Sequence, residues 1–508
     1  MIRKLLIANR GEIALRILRA CRELGIATVA VYSEADRTSL HVRFADEAYP
    51  IGPPPARESY LKVPALLEVA RRSGADALHP GYGFLAENAD FAEACLAAGL
   101  TFVGPSPAAI RAMGDKIQAR RLAQQAGLPL VPGTLDEVAD IGSALATAEA
   151  IGFPVLLKAS GGGGGRGIRL VTQAEDMAAA FSSATSEAAA GFGHGGVYLE
   201  KYLAPIRHVE VQVMADRFGR VVALGERECS IQRRHQKIIE EAPSPAVSPA
   251  LRSRLMEMAA AVARAVQYEG AGTVEFLLDG EGQAYFMEMN TRLQVEHPVT
   301  EMVTGTDLVA DQLLVASGEP LGYTQDDVQL RGWAIECRIT SEDPYHDFVP
   351  SVGVVRLFHE PGGPGIRVDT GLYDHMEVTV YYDPLLAKLI AWGRDREQAM
   401  QRMRRALREV HITGIHTNIP FHLYVLESPE FQQGQVDTGF AERALRAWQR
   451  QEGEQVDVAL LAAALVAYHE RRTGTERPGG APGGAHRGRC VNPWTLTYRP
   501  GPTAWTRR

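Results

Sequence analysis

Lysine is scarce in this sequence. The chain has 53 basic residues, yet lysine stands only at positions 4, 62, 116, 158, 201, 237 and 388. Arginine is the default cation, so a lysine within a motif points to a need for a compact ammonium in place of a planar fork. Cysteine is sparse too: Cys21, Cys95, Cys229, Cys337 and Cys490 lie far apart, with no C-x-x-C pair. That spacing argues against a disulfide framework and a structural zinc site, and it suits a reducing compartment. No apolar run approaches the roughly 18 residues of a membrane span. The opening Met1 to Arg10 meets charge before a signal-peptide core is complete. We therefore expect a cytoplasmic protein with no membrane partner. The net charge is −8 and no long basic run occurs, which argues against a protein that coats nucleic acid. Core material is ample: 508 residues, 46% of them hydrophobic, suffice for about three or four domains.

Residues 4–8 read as a buried strand, Gly11 to Leu24 as an amphipathic helix and Ala27 to Tyr32 as a second strand. This βαβ opening predicts a parallel sheet, but a G-x-G-x-x-G fingerprint is missing after the first strand, so the dinucleotide reading loses its main support. Helix–strand alternation continues to Phe102-Val103-Gly104-Pro105, with a boundary near Met113-Gly114. From Ile151 the pattern becomes strand, glycine loop, strand: Pro154 to Ser160, then Gly161 to Gly167, then Ile168 to Val171. The loop lacks the Gly-Lys-Ser/Thr of a P-loop. It reads either as a flexible hairpin tip or as a lid whose backbone N–H groups approach a phosphate. Lys158 in the adjoining strand favours the lid. His208 to Val213 alternates strictly, predicting a strand with one apolar face and one polar face that lines a cleft. The dense polar run Glu226 to Lys237 reads alone as a solvated loop or as part of a site.

Thr273 to Asp279 and Gln283 to Asn290 flank Gly280-Glu281-Gly282 and read as a β-hairpin. A two-residue turn at Glu281-Gly282 places Glu275 opposite Glu288 and Thr273 opposite Asn290. Directly opposed Cβ atoms stand about 4.5–5.5 Å apart, where like charges repel. A bound cation relieves that repulsion, and hard oxygen donors completed by substrate phosphates describe magnesium. A shifted register or a solvated pair is the alternative. Asn290 to Pro298 then adds an amide, a guanidinium and another carboxylate. A metal pair beside such a cluster, with a glycine lid upstream, suggests phosphoryl transfer.

Six stretches in chain order carry a resemblance: Asn9-Arg10-Gly11-Glu12-Ile13-Ala14, His79-Pro80-Gly81-Tyr82-Gly83-Phe84, Met113-Gly114-Asp115-Lys116, Lys158 with its glycine loop, Arg233-Arg234-His235-Gln236-Lys237 and Glu288 to Pro298. Together they resemble a biotin carboxylase, the ATP-grasp component of biotin-dependent carboxylases, over roughly residues 1–445. The resemblance implies a multidomain α/β and α+β fold. A Rossmann-like pre-ATP-grasp domain would span 1–114 and an ATP-grasp domain 115–330, with a glycine-rich lid over about 131–203. A C-terminal biotin carboxylase domain would span 331–445 and a helical, Pro/Gly-rich extension 446–508.

The resemblance also implies roles. Lys116, Lys158, Gly164, Gly165, Glu200, Lys201, Leu203, His208 and His235 would hold ATP, together with Glu275 and Glu288. Glu275, Glu288 and Asn290 would bind Mg2+ or Mn2+. Lys237, Arg292, Gln294, Val295 and Glu296 would bind bicarbonate, with Glu296 as general base. Tyr82 and Arg338 would face biotin, Arg338 stabilising its enolate-like oxygen, although as a structural residue Arg338 would pair with Glu336 or Glu296. A homodimer is implied as well.

The family attaches biotin to a lysine between two methionines, and no Met-Lys-Met occurs here. Biotin should therefore arrive on a separate biotin carboxyl carrier protein, with a carboxyltransferase as another subunit or as part of a longer chain. The expected overall reaction is an acyl-CoA carboxylation, with acetyl-CoA as acceptor; a pyruvate or propionyl-CoA carboxylase subunit is the alternative. Beyond Phe440 to Arg443 the chain adds an Ala/Leu-rich helix around 456–470, a Pro/Gly-rich linker around 478–488 and the aromatics Trp494, Tyr498 and Trp505. This reads as a solvated tail or as a docking element for a partner subunit. Rival readings are a purine-pathway ATP-grasp carboxylase and an inactive nucleotide-binding scaffold, which would have lost the metal pair or the base.

Overall fold

Five strands open the chain: β1 (Lys4–Ile7), β2 (Ala27–Ser33), β3 (Glu47–Gly52), β4 (Ala77–His79) and β5 (Thr101–Phe102), with helix α1 (Gly11–Glu23) after β1. Leu5, Leu6 and Ile7 are fully buried, as befits a parallel strand covered on both faces. All pairings are parallel, in the order β3-β2-β1-β4-β5. Strand order reverses between β1 and β4, and ligands of such sheets bind at that crevice. There the Asn9 amide donates to the carbonyls of Pro80 (2.7 Å) and Tyr82 (2.8 Å). A Cβ on Gly81, which has φ +65°, would meet that amide at 2.8 Å, so the close approach demands glycine. Past β2, where a dinucleotide fold keeps a free acid for ribose, Asp36 is occupied by a bidentate Arg10 (2.7 Å twice) and the Tyr60 hydroxyl (2.6 Å).

This computed structural model describes residues 1–160, 167–192 and 195–449. Gly164 and Gly165, and the elements expected around 456–470 and 478–488 with Trp494, Tyr498 and Trp505, lie outside the described residues. Strands β6 (Val155–Ala159), β7 (Ile168–Val171) and β8 (Val197–Lys201) form an antiparallel sheet in the order β7-β6-β8. Helices Ile141–Ile151 and Met177–Phe192 accompany it, and Val155, Leu157, Val171 and Leu199 build a small core of its own.

The largest sheet is antiparallel and has eight strands. It contains β9 (Arg207–Ala215), β10 (Val221–Arg233), β11 (Gln236–Ala242), β12 (Gly270–Leu278), β13 (Ala284–Asn290) and β14 (Trp333–Thr340), followed by Ile366–Thr370 and Leu385–Gly393. The order is β13-β12-β9-β10-β11-β14, then Leu385–Gly393, then Ile366–Thr370. Glu240 in β11 pairs with Glu336 in β14, so the sheet is continuous across residue 331. Val209, Val211 and Val213 of β9 enter one core with Val262 and Phe276. His208, Glu210 and Gln212 take the opposite face and are buried as well. The alternation of β9 is thus as expected, but its polar face is covered, partly by helix His297–Thr304, whose Thr300 receives Arg227 at 3.0 Å. Every strand of the sheet puts at least one ionisable side chain on that face, among them Glu288, Glu275, Glu210, Arg227, Glu240, Glu336, Lys388 and Asp369. Among the described residues no helix is long and apolar enough to cross a membrane.

Candidate active site

Lys237 sits at the centre of the charged face. It follows a two-residue hairpin turn in which Arg234 and His235 both adopt positive φ (50° and 64°). Two adjacent non-glycine residues in that region store strain of the kind found at functional sites. The Lys237 ammonium donates to Glu210 (2.5 Å), Glu296 (2.7 Å) and Glu275 (3.0 Å), so each of its three protons has a carboxylate. Burial opposes its charge, but those carboxylates prevail and hold its pKa well above the ordinary lysine value. Burial likewise penalises the Glu296 anion, yet Lys237 and Arg338 together hold Glu296 well below the usual carboxylate range. Behind them Arg227, fully buried, donates to Glu210 (2.6 Å), Gln212 (2.8 Å), Thr300 (3.0 Å) and Thr273 (3.1 Å).

Glu275 lies opposite Glu288, and Thr273 opposite Asn290. The expected two-residue turn is wrong, however. Asp279 faces Gln283 across a three-residue loop, Gly280 to Gly282, and a bulge at Met287 restores the register before the carboxylates. Glu275 is enclosed: its oxygens lie 2.9 Å from His208 Nε2 and accept from Asn290 Nδ2 (2.9 Å) as well as Lys237. Burial opposes both ions of the His208–Glu275 pair; Lys237 and His208 nevertheless lower the Glu275 pKa, and Glu275 raises that of His208 against the opposing charge of Lys237. Glu288 has no hydrogen-bond or ion-pair partner among the described residues. Burial and the charge of Glu275 raise its pKa against the pull of Lys116. A carboxylate lacking a cation beside a second carboxylate and an amide oxygen is a donor set that fits magnesium or manganese.

Arg292 is braced from three sides, by Glu87 Oε2 and Gln294 Oε1 at 2.8 Å each and by Asn290 Oδ1 at 3.3 Å. Arg338 bridges two acids, Glu240 at 2.6 Å and Glu296 at 2.7 Å, and not Glu336. Burial and the charge of Glu296 push the Glu240 carboxyl up to about 7 against Arg338. The carbonyl of Val295 receives Lys388 Nζ at 3.0 Å, and the Tyr82 hydroxyl donates to Glu12.

Glu200 is buried and ion-paired with both Lys158 and Arg120. Burial lowers the pKa of Lys116, which lies within electrostatic reach of Glu288, Lys158 and Glu200. Lys201 is tied to the carbonyls of Gly152 (2.8 Å) and Phe153 (3.1 Å). Leu203 is half-buried in the following loop, and His235 is exposed at its turn. Three clusters therefore adjoin one another: lysines with Glu200, the carboxylate pair, and Lys237 with Glu296, Arg292 and Arg338.

Comparison with known proteins decides the family. Three family models match in succession: the biotin carboxylase N-terminal domain over residues 1–110, the ATP-binding domain of the carbamoyl-phosphate synthase L chain over 115–324, and the biotin carboxylase C-terminal domain over 336–443. A biotin carboxylase of Nostoc sp. is 55% identical over 439 residues, covering 86% of this chain and 98% of that protein. This chain belongs to the biotin carboxylase family. It shares with that family an ATP-grasp architecture and the character of an ATP-dependent ligase. Another relative, a pyruvate carboxylase subunit of Methanothermobacter thermautotrophicus, is 50% identical over 491 residues, covering 93% of this chain and all of that one. Among solved structures, the biotin carboxylase domain dimer of Hydrogenobacter thermophilus 2-oxoglutarate carboxylase, bound to MgADP, ADP and bicarbonate, superposes with a TM-score of 0.84 at 47% identity. It covers 87% of this chain and 98% of its own.

Several residues of this biotin carboxylase site escape the sequence reading. Glu210 lies on the strand read as a cleft wall and Arg227 in the polar run, so both carried a signal. Lys388 is one of the seven lysines. Glu87 and Glu240 offer none, because their roles depend on partners more than 90 residues away.

Proposed function

We propose that this chain carboxylates biotin, carried on a separate biotin carboxyl carrier protein, at the expense of ATP and bicarbonate. The observation that carries this reading is Glu296, a buried carboxylate clamped by Lys237 on one oxygen and Arg338 on the other.

In this reading Lys237, Arg292, Gln294 and the Val295 backbone orient bicarbonate beside Glu296, which accepts its proton on a carboxylate oxygen. The freed bicarbonate oxygen attacks the γ-phosphorus of ATP, ADP leaves, and carboxyphosphate forms. Carboxyphosphate then breaks into carbon dioxide and phosphate. Phosphate takes the biotin N1′ proton as N1′ attacks carbon dioxide, and Arg338 steadies the negative charge on the ureido oxygen. Lys116, Lys158, Lys201, Glu200, Leu203, His208 and His235, with Gly164 and Gly165, bind the nucleotide, and Tyr82 faces biotin. Glu275 and Glu288 would hold the metal, with Asn290 joining once its amide turns from Glu275. Magnesium or manganese bound there neutralises phosphate charge. Engaging Lys237 with bicarbonate draws a cation from Glu296 and restores its basicity.

The chain works, in this reading, as a cytoplasmic homodimer beside a carboxyltransferase. An acyl-CoA carboxylase acting on acetyl-CoA is the first reading of the whole reaction. Relatives named for pyruvate and for propionyl-CoA carboxylases match over 93% and 94% of the chain, against 86% for the Nostoc enzyme, so both of these acceptors stand as the second reading.

The test is ATP hydrolysis with magnesium and bicarbonate, with and without free biotin. Stimulation by biotin, abolished by Glu296→Ala, is the expected result. Hydrolysis that needs bicarbonate but ignores biotin would point to another carboxyphosphate ligase.

A further inference from the structure

Alone among the seven lysines, all of which lie among the described residues, Lys388 is completely buried. It stands in the strand Leu385–Gly393, opposite Arg338 on one side and Asp369 on the other. Its ammonium donates to the Val295 carbonyl at 3.0 Å and lies 3.2 Å from Glu12 Oε1 and 3.6 Å from Asp369 Oδ2. Asp369 is already held by Arg367 through both oxygens (2.9 and 2.8 Å), whereas Lys388 is the one cation in ion-pair contact with Glu12 among the described residues. Glu12 comes from α1 at the crevice of the parallel sheet, and its Oε1 also receives the Tyr82 hydroxyl. The Tyr82 ring lies 5.9 Å from the Lys388 ammonium. Glu12 Oε2 is buried with no hydrogen-bond partner, so this acid is not placed for its own satisfaction.

A continuous chain of contacts therefore runs from the glycine loop of Tyr82, through Glu12 and Lys388, to the backbone between Gln294 and Glu296. A buried ion pair contributes little stability over well-packed apolar side chains of similar size. What it does supply is a defined geometry. The compact ammonium suits a site where one carbonyl and two carboxylates converge from separate elements, which a planar guanidinium would not fill. We propose that Lys388 is a positioning residue that fixes the Val295 carbonyl and couples the Tyr82 loop to the bicarbonate-binding segment.

This inference rests on assigning Gln294 to Glu296 to bicarbonate. The experiment is steady-state ATP hydrolysis by the full chain, with bicarbonate, ATP and free biotin each varied. The unsubstituted protein comes first: if it shows no bicarbonate-dependent hydrolysis, the assignment of the site fails and the coupling falls with it. Given that activity, Lys388→Met should raise KM for bicarbonate by about tenfold or more, leave KM for ATP nearly unchanged and abolish stimulation by biotin. A Lys388→Met protein that only unfolds at lower temperature, with both bicarbonate KM and biotin stimulation intact, overturns the proposal. Should that variant fail to fold, Tyr82→Phe decides, because it removes one hydroxyl and leaves the ion pair. Coupling requires Tyr82→Phe to raise KM for bicarbonate even without biotin; a change in KM for biotin alone overturns it.

Discussion

Arg338 and Lys237 grip opposite oxygens of Glu296, Arg338 at Oε2 and Lys237 at Oε1, each at 2.7 Å. The residue assigned to the biotin step thereby tunes the base of the bicarbonate step. Arg338→Gln should raise the Glu296 pKa, so the acidic limb of the pH profile for bicarbonate-dependent ATP hydrolysis moves to higher pH. Biotin carboxylation should fall by about a hundredfold, the cost of losing one charge-stabilising donor. Both are read from initial rates across pH with and without biotin.

Glu87 reaches across from the N-terminal segment to fix Arg292 and, through its other oxygen, the Thr291 amide at 3.0 Å. The pair is partly exposed, so its loss costs about 1 kcal/mol. Glu87→Gln should raise KM for bicarbonate by roughly fivefold at nearly constant kcat, measured at saturating ATP.

Glu288 is the acid of the pair without a cation. Glu288→Gln should raise the magnesium concentration needed for half-maximal ATP hydrolysis by about 10–100-fold, the range for weakened metal sites. KM for bicarbonate should barely change. A magnesium titration at saturating ATP and bicarbonate separates the two effects.

Four buried histidines, His41, His79, His297 and His422, are held down by burial and make the fold sensitive to acid. Burial pushes His41 and His422 down to about 4 and His79 down to about 3. Below the ordinary histidine value the unfolded chain takes up protons that the folded chain refuses, so stability falls as pH drops. Each group contributes a slope of up to about 1.4 kcal/mol per pH unit, lost once pH falls below its folded value. Urea midpoints should decline from pH 6.5 toward 5, and His422→Gln should make that decline shallower.

The parallel opening sheet and the carboxylate pair were legible because local pattern governs them: buried apolar runs for β1 and β2, and two strands meeting around glycines. The hairpin register was right at Glu275 and Glu288 through two compensating features, a longer loop and a bulge, neither of which has a residue signature here. Glu210 and Arg227 were readable as polar, but not as buried, since burial of a polar face depends on the helix His297–Thr304 that covers it. Glu87 and Glu240 owe their places to long-range pairing, which periodicity does not carry. Lys388 was conspicuous only for its rarity, and its partners converge from three separate elements.

The pairing of Glu240 with Glu336 has a practical side for anyone trimming the chain. A fragment ending near residue 330 would bare β11 from Ile239 to Ala242, an unprotected edge ready to recruit another chain. It would also leave Glu240 without Arg338, the cation 2.6 Å away that it depends on. Such a piece should aggregate during purification, so the nucleotide-binding part and the Arg338 part are best handled as one indivisible body.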